Sequence, residues 1–199
     1  MSLLPKIIRS MSDENIYLTF DDGPDENITP RLLELLSKHE IKATFFVVGQ
    51  KAARYPEIVL QIHKNGHAIG NHSYTHPHLI FKSKEIIEGE IKRTDKAVFE
   101  ITGKRPTLFR PPHGQFGLAM LSVLKSTNHR MVLWSASSQD YKVKASTEKI
   151  QARMKKYVRP GKIVLMHDGH SKSLHTFRAL ENSLGAFKER GFKFSALPN

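Results

Sequence analysis

Cysteine is absent from all 199 residues, which excludes disulfides and thiolate metal sites. That absence is compatible with any compartment and leaves location open. Long apolar runs are missing too: none approaches the roughly 18 residues of a membrane span. The opening stretch MSLLPKIIRSMSDEN is too short in apolar residues for a signal peptide, and Pro5 interrupts it. As it stands the chain reads as cytosolic, or as a mature domain from which a targeting segment was removed. Acidic residues are scarce: 19 Asp and Glu face 31 Lys and Arg, a formal charge of +12. Such a field attracts polyanions such as nucleic acid, acidic lipid or an anionic wall polymer, or is simply a solvated basic surface. No arginine-rich tract, zinc finger or aromatic ribonucleoprotein motif is present, so nucleic acid is not expected as a partner.

What is present reads as an ordinary soluble globular chain, 39% hydrophobic and 25% charged. With no linker, repeat or low-complexity tract, it divides into a short extension over residues 1–14 and one domain over 15–199. Apolar segments of strand length cover 16–20, 42–48, 67–73, 107–111, 129–136, 162–168 and 192–197. Helical patterns lie between them. One opens at Thr29 as N-cap with Pro30 behind it; one ends on Gly66; the longest runs from Ser83 to Gly103. Repeated strand-then-helix units predict a parallel sheet, and about seven of them predict a closed or nearly closed α/β barrel, with a doubly wound open sheet as the alternative. In such folds the chemistry gathers at the carboxyl ends of the strands.

Those ends carry the unusual residues. TFDDGP places Asp21 and Asp22 side by side, where period-2 alternation would send them to opposite faces. Gly23 and Pro24 break the strand there, so a turn could aim both into one cleft, although Asp, Gly and Pro are also ordinary turn residues. GNHSYTHPH sets His72 and His76 four apart, which one helical turn would bring together as a metal pair; His78 is offset in another direction. In FRPPHG, Pro111 and Pro112 supply no N–H, so the first free amide after Arg110 is that of His113, a candidate oxyanion donor on a stiff loop. LWSASSQDY contains the only tryptophan, Trp134, with Asp140, and VLMHDG contains His167 and Asp168. Each motif has a purely structural reading, but five strand ends carrying such residues are hard to dismiss together.

In their order and spacing TFDDG, HSYTH, RPPHG, WSASSQDY and LMHD resemble the polysaccharide deacetylase family with the NodB homology fold, carbohydrate esterase family 4. The likeness runs from about Tyr17 to the C-terminus. It implies a distorted (β/α)7-type, TIM-like barrel and a metal, zinc or alternatively cobalt, held by Asp22, His72 and His76. Asp21 is then the general base, His167 the acid that protonates the leaving amine, and the His113 amide an oxyanion donor. Arg110 orients Asp21, and Asp140 raises the pKa of His167. Trp134, Leu165 and Pro112 line the acetyl pocket. The implied reaction is N-deacetylation of an amino-sugar polysaccharide. Three positions depart from the common pattern: His113 replaces a tyrosine, Ser137 an aspartate and Tyr141 a tryptophan. The Arg-Pro-Pro variant looks like the branch acting on peptidoglycan, whose anionic glycan would suit the basic charge. Action at the cell wall follows from that substrate, and a monomer is expected. The alternatives are an O-acetyl esterase on a glycan such as xylan, a catalytically silent glycan-binding protein, and a metal-independent hydrolase of small ureide or imide rings.

Overall fold

The computed structural model describes residues 5–198. Nine strands form: β1 (Ile7–Ile8), β2 (Asn15–Asp21), β3 (Thr44–Val47), β4 (Ala68–Asn71), β5 (Leu108–Phe109), β6 (Arg130–Val132), β7 (Ala136–Ser137), β8 (Ile163–His167) and β9 (Lys193–Phe194). Their order is β1-β6-β5-β4-β3-β2-β8-β7, with β9 paired to β2, and every strand pair is parallel. The sheet is a curled half-barrel whose ends, β1 and β7, do not pair with each other among the described residues. The distorted barrel is therefore met, and full closure is not.

The strands are apolar because both faces are covered. Ile16 to Asp21 are buried without a break, and so are all four residues of β3. Helices α1 (Ile28–Lys38), α2 (Gly49–Arg54), α3 (Pro56–Lys64), α4 (Lys84–Thr102), α5 (Leu118–Ser126), α6 (Thr147–Tyr157), α7 (Ser173–Glu181) and α8 (Leu184–Glu189) supply the outer layer. The largest apolar cluster joins Leu18, Phe20 and Phe45 to Leu32, Leu36 and Leu180 from the helices. The limits read for α4 hold: Ser83 caps it through the Ile86 N–H, and Gly103 closes it at φ 69°.

Four local expectations change. First, the segment 129–136 is not one strand. β6 pairs with β1 and β5, the chain then switches partner, and β7 pairs with β8. At the switch the carbonyls of Val132 and Leu133 accept from the Arg110 guanidinium at 3.3 and 3.1 Å rather than from a strand. Second, Ile7–Ile8 of the extension is a strand against β6, too short to register as a periodic pattern. Third, α1 begins at Ile28 with no side-chain cap. Thr29 instead donates its hydroxyl to Asp168 Oδ2 at 2.5 Å and accepts from the Asp25 N–H at 2.8 Å. Fourth, residues 72–76 form no helical turn. Left-handed backbone at Ser73 (φ 64°) and His76 (φ 56°), on either side of a bend at Tyr74 and Thr75, brings the two histidines together instead.

Candidate active site

The strand-end motifs meet in one pocket of about 390 Å³. Asp21, the last residue of β2, is buried. Asp22 follows at φ 70°, in the left-handed region, and this reversal turns its carboxylate to the same side as that of Asp21. Asp22, Ser73, His76, His113 and Gln139 account for five of the seven non-glycine residues at positive φ among the described residues, and all five lie at the carboxyl ends of strands. Such backbone persists only where its surroundings over-determine it.

Here they do. Lys51 Nζ donates to the carbonyls of Asp22 and Gly169 at 2.8 and 2.9 Å, tying two of these loops together. Gly23 lies against the carboxylate of Asp168, so a methyl group there would collide with it. The histidine loop is anchored by Glu90 of α4, which accepts the Tyr74 and Thr75 N–H groups at 2.8 and 2.7 Å and the Thr75 hydroxyl at 3.0 Å.

His72 Nε2 and His76 Nε2 stand 3.5 and 3.1 Å from Asp22 Oδ1. One donor atom from each of the three side chains lies within 4.8 Å of the others. Two ligands each about 2.0–2.1 Å from a tetrahedral zinc are about 3.4 Å apart, so the spacing fits. Asp22 Oδ1 is buried without a hydrogen-bond partner, an orphaned oxygen of the kind a cation satisfies. His72 Nδ1 lies 2.7 Å from the Arg110 carbonyl. Donation there leaves the Nε2 lone pair facing Asp22. Burial alone would raise the Asp22 carboxyl, but its contacts with His72 and His76 hold it well below the usual carboxylate range.

Arg110 is wholly buried beneath the pocket. Its Nη1 donates to Asp21 Oδ1 and Thr19 Oγ1, both at 2.7 Å, and its guanidinium lies 4.1 Å from the centre of the Phe46 ring. Burial pushes its pKa down, and the Asp21 charge opposes that. On the other side His167 Nδ1 lies 2.8 Å from Asp140 Oδ1. Asp140 Oδ2 accepts the His167 N–H at 2.8 Å and the Thr176 hydroxyl at 2.7 Å. Burial works against the imidazolium, but the hydrogen bond and charge of Asp140, reinforced by Asp21 and Asp22, push His167 up to about 9.

The family model for polysaccharide deacetylase matches residues 9–132. The chain belongs to the polysaccharide deacetylase family. It is 35% identical to the peptidoglycan-N-acetylglucosamine deacetylase PgdA of Listeria monocytogenes over 96% of this chain, and spans 40% of that protein. It is also 35% identical to the peptidoglycan-N-acetylmuramic acid deacetylase PdaA of Bacillus subtilis over 93% of this chain and 70% of that one. The crystal structure of the Bc1960 peptidoglycan N-acetylglucosamine deacetylase matches with a TM-score of 0.92 and 31% identity, covering 98% of this chain and 92% of the other.

Most deacetylase-motif residues named from sequence reach this pocket, but not all of them face it. Asp21, Asp22, His72, His76, His113, Trp134, Leu165 and His167 line it. Arg110 and Asp140 lie behind it, each against a lining residue. Pro112 is buried but is not part of the wall; the next two residues, His113 and Gly114, are. The His113 N–H makes no hydrogen bond among the described residues, in keeping with the free amide read from the two prolines. His78 stacks on the His113 ring at 3.9 Å instead of joining the Asp–His–His group.

Sequence reasoning gave no role to His170, which lines the pocket, nor to Lys51, Glu90 and Thr19, which support its walls. In the sequence Asp168 stands only as a motif residue. It is buried beneath the Asp22–Gly23 turn, and burial pushes it up to about 7. Lys51, Glu90, Thr19 and Asp168 carry no local signal, because their partners are distant in the chain.

Proposed function

We propose that the chain is a metal-dependent N-deacetylase acting on amino sugars of peptidoglycan, N-acetylglucosamine or N-acetylmuramic acid, at the cell wall. The observation that carries this reading is the convergence of Asp21, the Asp22–His72–His76 group and His167 on one pocket. Two of the relatives, PgdA and PdaA, are peptidoglycan deacetylases and supply the substrate class. No helix among the described residues is long and apolar enough to cross a membrane.

Asp22, His72 and His76 would hold the metal, with zinc favoured by two imidazoles and one carboxylate and cobalt as the alternative. When bound, it supplies Lewis acidity at the acetyl carbonyl and at water. The remaining steps belong to the protein. Arg110 occupies Asp21 Oδ1, which fixes the carboxylate and leaves Oδ2 to take the proton of the attacking water. Water oxygen bonds to the acetyl carbon, and the His113 N–H donates to the developing oxyanion. Trp134 and Leu165 form the apolar wall for the methyl group. His167 is held protonated by Asp140 and delivers its Nε2 proton to the departing nitrogen. The C–N bond breaks, leaving acetate and a free amine.

The test is acetate release from intact peptidoglycan and from N-acetylglucosamine oligomers, with and without a chelator. Release is expected to fall to background when the metal is stripped and to return on adding zinc. Undiminished activity in a preparation shown to be metal-free would overturn the metal-dependent reading. Release only from ester-acetylated glycans would replace the amide with the ester as substrate.

A further inference from the structure

Resting on the deacetylase reading, we propose that a basic groove beside the catalytic pocket binds the carboxylates of the peptide substituents on the wall glycan. The groove, about 340 Å³, lies between the segment after β7 and helix α6. Its exposed wall is mostly apolar, from Ala145, Ile150, Ala152 and the carbon stems of Lys142, Lys144, Lys149 and Arg153, and the three lysines are exposed, so the cations bring their charge to the rim rather than to the wall. No acidic residue is part of its lining. None of the four cations forms a salt bridge among the described residues, although lysines elsewhere on the surface do, such as Lys92 with Glu88 and Lys96 with Glu100.

The Arg153 guanidinium lies over the Tyr157 ring at 4.8 Å, and the hydrogen bonds of these four side chains among the described residues go to backbone carbonyls. Lys149 Nζ donates to the Lys144 carbonyl at 3.0 Å, and Arg153 Nε donates to the Ser137 carbonyl at 3.0 Å. That second bond orients the guanidinium and leaves its two terminal nitrogens without a hydrogen-bond partner among the described residues. The nearby Glu148 carboxylate accepts the Ser146 hydroxyl and lies outside the lining. Four like charges held around one depression repel one another, and an anion entering it relieves that repulsion. Guanidinium and ammonium groups of this kind suit carboxylates, arginine by its fork of donors and lysine as a point charge.

Position identifies the source of the anion. Gln139 and Lys142 line the groove, while between them Asp140 holds His167 and Tyr141 lines the catalytic pocket, 5.6 Å edge-on from the His167 ring. One short strip of chain therefore forms the partition between the two. A glycan lying across Tyr141 brings the acidic substituents of its own sugars to the lysines, which a separate polyanion has no reason to do. The groove distinguishes peptide-bearing wall glycan from neutral N-acetylglucosamine oligomers and acts chiefly through KM.

The experiment measures kcat/KM on a peptide-bearing glycan fragment and on a neutral oligomer, at low and high salt. The full chain is compared with Lys144→Gln/Lys149→Gln and with Lys92→Gln/Lys96→Gln on α4, which removes the same charge elsewhere. The anionic-to-neutral ratio is expected to fall about tenfold in the first variant, through KM, with most of its salt dependence lost. The α4 variant is expected to keep the wild-type ratio. An unchanged ratio in the first variant, or an equal fall in both variants, overturns the groove while leaving the deacetylase reading intact. Failure of the wild type to release acetate from either substrate overturns both.

Discussion

Replacing Asp21 by asparagine is expected to lower kcat by about 10²–10⁴-fold and, separately, to destabilise the fold by about 3–5 kcal/mol. The two losses have different origins. The first, on the proposed mechanism, is the missing proton acceptor at Oδ2. The second arises because the Arg110 guanidinium is fully buried and Asp21 is its only carboxylate partner among the described residues, at 2.7 Å. Asparagine is nearly isosteric but leaves that charge uncompensated. For a chain of this length the destabilisation corresponds to a fall in Tm of roughly 6–20 °C. The double change Asp21→Asn/Arg110→Met removes both charges and is expected to recover most of the Tm, since neutral packing commonly replaces a buried pair without loss. Activity should stay lost. Calorimetry beside acetate release separates the two effects; a double variant no more stable than Asp21→Asn would show that Arg110 stabilises mainly through its contacts with Thr19, Val132 and Leu133.

The second large effect lies on the other side of the pocket. Substituting His167 by glutamine removes the proton donor and is expected to cost about 10²–10⁴-fold in kcat at every pH. Substituting Asp140 by asparagine leaves the donor in place but withdraws the charge that stabilises its protonated form. If His167 is the proton donor, as proposed, it works protonated and activity falls as pH rises through its pKa. That pKa is about 9 with Asp140 present and should move toward the ordinary 6.5 without it. The alkaline limb of kcat/KM is expected to shift the same way, a loss of roughly thirtyfold at pH 8 that narrows toward pH 6. A limb that stays where it was would show that another group sets it.

How much of this was legible in the chain differs by element. β2 could be read directly, because its buried residues, Ile16 to Asp21, make a nearly continuous apolar run that stops before a Gly-Pro break. The same logic placed β3, β4 and β8. It failed at β6 and β7, where Val132 and Leu133 are as apolar as strand residues but their carbonyls are taken by Arg110. Apolar character reports burial, and a buried chain can leave one partner strand for another without any change in composition. β1 has two residues, fewer than any periodicity can register. Among the site residues, those at strand ends were found because each motif is local. Glu90 and Lys51 were not, since their hydrogen bonds cross 15–16 and 29–118 residues.

The sequence by itself determined the kind of chemistry available. No cysteine, an Asp-Asp pair, two histidines four apart and a further His-Asp, each beside a strand end, already define a carboxylate–imidazole site on a parallel α/β fold. Only the tertiary structure decided how those groups divide the work. Asp21 and Asp22 are neighbours in the chain, yet one lies against a buried guanidinium and the other against two imidazoles, because a single left-handed residue turns the backbone between them. The same holds for Tyr141, which separates the catalytic pocket from the lysine-lined groove. Protonation and charge depend on what lies within a few ångströms, and sheet pairing brings together groups that are far apart in the chain.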